Sequence, residues 1–254
     1  MFKKFMAKIG VGSAQIDFQL NGNQYRLGDT VEGQFQIVGG NVEQSINGIT
    51  LDLNLKMKYE DSAIYPVIAS IPVSGAFDLP PGERKTLDVR FTLPENLPVS
   101  RRHASYYFST NLDIEEGLDS GDRDAITLLP SPRFAAVLDA IADMGFREKH
   151  DSGEFNGYNQ EFAYAVPEDY YSRLNELEFE AAVEADGVRL LMELDLPTLL
   201  GFSEIEVKRE VFLSNEVLTD RAQVASHLRR AIEETLANPR SYGGKRHLPS
   251  AFRR

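Results

Sequence analysis

The sequence predicts a mainly β chain in two lobes. An antiparallel β-sandwich comes first, then a helix, then a second, smaller β-rich lobe with a C-terminal helix. Three observations predict it. Apolar and polar residues alternate through the first half, most cleanly from Ile49 to Tyr59, where Leu51, Leu53, Leu55 and Met57 face one way. Asp52, Asn54, Lys56 and Lys58 face the other, the pattern of an antiparallel sheet with one covered face. Turn signals rich in Pro, Gly and Asn separate such runs, with no helical period between them, up to about residue 130. A helical period then opens after Pro130-Ser131-Pro132, and alternation returns beyond residue 160.

Phe2, Phe5 and Ile9 form a short amphipathic start that packs on the first lobe, with Lys3, Lys4 and Lys8 in water. One or two helical turns are marginal as a membrane anchor. Gly10-Val11-Gly12 precedes a strand, whereas nucleotide-binding glycine loops follow one, so it carries no such reading. Ala14, Ile16, Phe18 and Leu20 mark the first strand, and Asn21-Gly22 turns the chain. Val31, Phe35 and Ile37 alternate beyond the Gly28-Asp29 turn. Residues 65–73 form a further strand, which Pro66 and Pro72 place at an edge.

Leu79-Pro80-Pro81-Gly82-Glu83 is a proline corner with a glycine for the φ > 0 position. Leu87, Val89, Phe91 and Leu93 follow in alternation, then the proline-punctuated connection Leu93-Pro94-Glu95-Asn96-Leu97-Pro98-Val99-Ser100. The strand bearing Ala104, Tyr106, Phe108, Thr110, Leu112 and Ile114 runs into an acidic loop, Asp119-Ser120-Gly121-Asp122-Arg123-Asp124.

Ser131 is placed as an N-cap with Pro132 at the first helical position. Phe134, Val137, Leu138, Ile141 and Met144 make one apolar stripe that Gly145 ends. Residues 147–160 read as loop. In the second lobe, Asp186-Gly187 turns a hairpin into the strand of Val188, Leu190, Met192 and Leu194, and Ile205, Val207, Val211 and Leu213 mark another. The apolar stretch Leu199-Leu200-Gly201-Phe202 between them is a candidate contact. A last helix spans Asp220 to Ala237, stopped by Asn238-Pro239. The boundaries are 1–130 for the sandwich, 131–160 for the helix and linker, 161–237 for the second lobe and 238–254 for a flexible basic tail.

The 254 residues, 42% hydrophobic and 26% charged, are those of a globular protein. Zero Cys removes disulfides, thiolate catalysis and zinc–cysteine sites, which suits a reducing compartment. With no apolar run near the ~20 residues of a membrane span and no signal-peptide core, the expected location is cytoplasmic. Charge is uneven. Residues 1–16 and 238–254 hold eight of the 27 basic residues and no acid, which leaves 19 against 39 acids, a net of −20, between them. That field repels nucleic acid and anionic lipid from the body. The tail is better placed to dock on an acidic surface, its own or a partner's.

His103, His150, His227 and His247 share no ligand spacing. The acidic loop lacks the glycine and distal glutamate of an EF-hand, and no nucleophile elbow or P-loop is present. Trp, the usual sugar platform, is absent. The expectation is therefore a protein without enzymatic activity, catalytic residues, cofactor or metal.

The Leu79–Glu83 corner, the Leu93–Ser100 connection, and the strand ending Thr110-Asn111-Leu112-Asp113-Ile114 before the acidic loop resemble one family. Gln160-Glu161-Phe162 ahead of Pro167, and Arg173-Leu174-Asn175-Glu176-Leu177-Glu178, carry the resemblance into the second half. It is the bacterial stage-zero sporulation protein M family of sporulation-control proteins, and it covers about residues 1–213. The resemblance implies an arrestin-like first lobe and a cytoplasmic regulator or adaptor in developmental or stress control, acting by protein–protein interaction. Partners are then other cytoplasmic proteins, with a homo-oligomer as an option, nucleic acid disfavoured and membrane contact at most peripheral. Alternatives are a metal-dependent hydrolase using clustered carboxylates and a membrane or nucleic-acid binder using the basic ends. Candidate interaction residues are Phe2, Lys3, Lys4, Phe5, Leu199, Leu200, Phe202, Lys245, Arg246, Arg253 and Arg254.

Overall fold

Alternating strands bury one face each, and in this chain they do so in three antiparallel sheets. The computed structural model describes residues 12–59, 62–115, 119–156, 158–197, 204–242 and 248. The chain divides into two units. The first comprises Met1–Lys56, Ile64–Leu93 and Ser105–Leu128, and the second Met57–Ala63, Pro94–Ala104 and Leu129–Arg254.

The strands of the first half are β1 (Gln15–Leu20), β2 (Gln24–Arg26), β3 (Thr30–Val38), β4 (Gln44–Tyr59) and β5 (Ser62–Ile64). They continue with β6 (Val67–Ser74), β7 (Phe77–Leu79), β8 (Arg84–Thr92), β9 (Ala104–Ile114) and β10 (Ser120–Leu129). One sheet has the order β1-β3-β8, the other β2-β10-β9-β4-β5, with β6 and β7 also paired to β4. Their inward side chains meet as a sandwich. Phe18 of β1 stacks on Phe35 of β3 with centroids 4.4 Å apart, and Phe108 of β9 meets Phe18 and Phe91 edge-on at 5.8 and 5.5 Å. Leu51, Leu53, Leu55 and Met57 of β4 are buried, as their alternation requires.

One expectation about this unit needs correction. The acidic stretch expected as a loop is the first half of β10, whose Asp122 and Asp124 lie opposite Thr110 and Phe108 of β9. Aspartate disfavours strands, but pairing with a long neighbour overrides that preference. The strand expected at residues 65–73 is present as β6, paired to β4, and a separate three-residue strand, β5, precedes Pro66.

The second unit holds α1 (Pro132–Asp143), β11 (Arg147–Glu148), β12 (Glu154–Phe155), β13 (Gln160–Ala165) and β14 (Glu176–Glu184). It is completed by β15 (Gly187–Pro197), β16 (Glu204–Ser214) and α2 (Arg221–Ala237). The sheet order is β11-β13-β14-β15-β16, with β12 also on β13. Residues 147–160, expected as loop, thus contain two short strands. Two residues have no period to read, and the edge of β13 recruits them.

Both helices are capped as their residues dictate. Ser131 Oγ accepts the Phe134 N–H at 3.3 Å, and Asp220 Oδ1 accepts those of Ala222 and Gln223 at 2.9 and 3.3 Å. Gly145, at φ +91°, ends α1 where a Cβ would stand 3.1 Å from Pro167 Cβ. Phe134 and Val137 of α1, and Val224, Leu228 and Ile232 of α2, are buried. Arg209 of β16 ties α2 to the sheet by donating to the Ala231 carbonyl and to Glu234, each at 2.7 Å.

Candidate interaction surface

The residues expected to make contacts, Phe2, Lys3, Lys4, Phe5, Leu199, Leu200, Phe202, Lys245, Arg246, Arg253 and Arg254, lie outside the described residues. What the structure adds is an acidic surface in the second unit. It originates in β14, where Glu176-Leu177-Glu178-Phe179-Glu180 alternates acid with hydrophobe. Leu177 and Phe179 are buried in the core, where Phe179 stacks with Phe162 and Tyr164 of β13 at 5.3 and 5.7 Å. Because strand side chains alternate, that anchoring sends the three glutamates to the opposite face.

The register then lines up acids from neighbouring strands. Cross-strand partners share a face. One row reads Glu161, Glu180, Leu191, Glu210, and the next Ala163, Glu178, Glu193, Lys208. A third reads Ala165, Glu176, Asp195, Glu206. Eight carboxylates stand in these rows beside one lysine. Two further cations serve the face from its margins. Lys149 Nζ donates to Glu176 at 2.6 Å, and Arg189 pairs with Glu184 and Glu210 at 2.6 Å each.

This density shifts protonation. Burial, with Glu161, Glu176, Asp195 and Glu193 close by, pushes Glu178 up to about 8. Burial also raises Glu193, reinforced by Glu206 and opposed by its 2.6 Å bridge to Lys208. For Lys208, burial works against the charge, but Glu193, Glu161 and Glu180 outweigh it and hold its value up. Lys149 is held up chiefly by its hydrogen bond to Glu176.

Glu180 is the buried anchor of the surface, only 3% exposed. Its Oε1 accepts from Asn156 Nδ2 at 2.7 Å and its Oε2 from Asn159 Nδ2 at 2.8 Å. The backbone of Leu248 completes the network. Its N–H donates to Glu180 Oε2 at 3.1 Å, and its carbonyl accepts from Asn159 Nδ2 at 3.0 Å. Leu248 itself is buried.

Asp119 and the acids of β10 form a separate group in the first unit. Asp122 Oδ2 accepts the Phe18 N–H at 3.1 Å and Asp119 Oδ1 that of Ile114 at 3.2 Å, so both act as backbone acceptors. Burial, Asp122 and Asp17 push Asp124 up to about 6. Among the described residues no three His, Asp or Glu side chains are arranged to hold a metal ion, and no helix is long and apolar enough to cross a membrane.

The acidic face was not anticipated from sequence. Its signal lies in the acids alternating through residues 176–180 and 193–195, opposite the hydrophobic residues that mark the core.

Comparison with known proteins gives this architecture a relationship. A sporulation-control protein of Bacillus subtilis is 33% identical over 208 residues, which cover 76% of this chain and 80% of that protein. The crystal structure of the sporulation control protein Spo0M from Bacillus subtilis superposes with a TM-score of 0.74 at 27% identity. That match covers 88% of this chain and 99% of the other. The family model described as SpoOM protein matches residues 2–197. With sequence, structure and family model in agreement, the chain belongs to the Spo0M family.

Proposed function

We propose that this chain is a non-enzymatic cytoplasmic regulator of sporulation, and that it works by holding a cationic segment of a protein partner. Family membership supplies the process. The acidic face of β13–β16 supplies the mode, and it is the observation that carries the reading. Carboxylates directly opposite one another, as Glu178 and Glu193 or Glu176 and Asp195 are, cost stability in a sheet. A fold has no need of eight of them on one face, whereas a lysine- or arginine-rich partner would relieve the repulsion and be steered by it. In this reading the first unit is an arrestin-like sandwich and the acidic face of the second takes the partner.

The test is genetic. The chain is expressed in Bacillus subtilis lacking its own sporulation-control protein, and heat-resistant spores are counted. We expect it to change spore yield, and the triple variant Glu176→Lys, Glu193→Lys, Asp195→Lys, shown to be folded by circular dichroism, to have lost the effect. An equally active variant would remove the acidic face from the mechanism. No effect of either form would remove the sporulation role.

A further inference from the structure

One residue from the C-terminal stretch, Leu248, touches the acidic face at Glu180. Leu248 is held by both backbone groups, its N–H on Glu180 and its carbonyl on Asn159, as a paired strand residue would be. Its place in the sequence is what matters. The preceding stretch is Gly243-Gly244-Lys245-Arg246-His247, and Arg253-Arg254 follow. Six positions before Leu248, the ring of Tyr242 lies 4.8 Å from the Arg209 guanidinium of β16. Arg209 bonds α2 and sits opposite Met192, on the helix-covered side of the sheet. Glu180 sits opposite Leu191, on the acidic side.

Tyr242 and Leu248 therefore lie on opposite sides of the sheet, in whose order β16 is the terminal strand. Six residue steps reach about 20 Å at most, and two strand spacings take up about 10 Å of that. On the acidic side β15 carries Glu193 and Asp195, and β16 carries Glu206.

We propose that the acidic face of β13–β16 is the docking site of the chain's own basic tail, Lys245–Arg254, with Leu248 as its anchor. The charges of Lys245, Arg246, Arg253 and Arg254 complement the carboxylate rows, and Leu248 fixes the register. The tail is then the resident competitor at the face assigned above to a cationic partner, and a partner binds by displacing it. The proposal rests on that reading for its regulatory meaning. The docking itself does not, and is tested separately.

The experiment is hydrogen–deuterium exchange on the full-length protein beside the full-length variant Lys245→Glu, Arg246→Glu, Arg253→Glu, Arg254→Glu. Those substitutions leave Glu180, Asn159 and the sheet core untouched. At 20 mM salt we expect the Leu248 amide to exchange at least tenfold more slowly in the wild type, and the difference to shrink at 500 mM salt. Equal exchange in the two forms would overturn the proposal, because the tail charges would then contribute nothing. Protection should also survive hundredfold dilution, and loss on dilution would assign the contact to a second copy and overturn the intramolecular docking. As a second measurement, a peptide of residues 243–254 is titrated into the charge-reversed full-length variant at low salt. Heat of binding that weakens with salt is expected, and no binding would overturn the proposal. None of these outcomes depends on spore counts, so the docking and the sporulation role fail independently.

Discussion

Two glutamates on one strand face, two residues apart, meet opposite fates. Glu180 is enclosed by Asn156, Asn159 and the Leu248 N–H, donors that satisfy its buried oxygens. Glu178 is half-buried among Glu161, Glu176, Glu193 and Asp195, and its carboxyl rises from the ordinary 4.5 to about 8. The consequence for stability has a definite sign. Between about 4.5 and 8 the folded protein retains a proton that the unfolded chain has released. The stability due to that proton is complete below about 4.5 and is lost as pH climbs through about 8. Glu178→Gln has no such proton to lose. Its urea midpoint should therefore gain on the wild type from pH 5 to pH 9, while Lys208 and Lys149, the cations nearest these acids, stay charged. A gap between the two proteins that is constant with pH would show that Glu178 titrates normally.

At the scale of elements, local chemistry decides the helices and partners decide the short strands. The N-cap, the stripe and the terminator of α1 all lie within fifteen residues, so Ser131, Phe134, Val137, Ile141 and Gly145 could be read directly. The same holds for α2, whose buried Val224, Leu228, Ala231, Ile232 and Thr235 follow the helical period. Asp220 satisfies two of its free N–H groups, and Asp220→Ala should lower the melting temperature. Thermal unfolding measures it, and a melting temperature equal to that of the wild type would mean that the cap is redundant. By contrast β7, β11 and β12 exist because β4 and β13 offer them an edge. Nothing in their two or three residues distinguishes them from loop. The acidic half of β10 was missed for a related reason: its aspartates signal a turn, while the pairing that overrides them belongs to β9.

For the whole molecule, the division into units does not follow the order of the chain. Residues 57–63 and 94–104 lie with the second unit, although the sequence around them reads as continuous sandwich. The buried Gln160 shows what they contribute. Its Oε1 accepts the Val99 N–H at 2.9 Å and its Nε2 donates to the Val99 carbonyl at 3.0 Å, as a neighbouring backbone would. Arg101 adds a bridge to Glu148 at 2.8 Å. A fragment of residues 129–254 leaves Gln160 without these bonds and should lack a cooperative urea transition. A fragment that unfolds cooperatively with the midpoint of the full-length protein would show that the segment is dispensable.

The sequence by itself determined the β-rich class, both helices with their caps, the buried faces of the long strands, the family, and the contrast between an acidic body and basic ends. These depend on periodicities and capping groups that act within a few residues, or on charge, which needs only counting. Tertiary structure alone decided that the acids of β13, β14, β15 and β16 share one face, that Glu180 is buried, and that Leu248 rests on it. Register between strands brings together residues as far apart as Asn159 and Leu248, and register is set by how the hydrophobic faces pack, which no local stretch encodes.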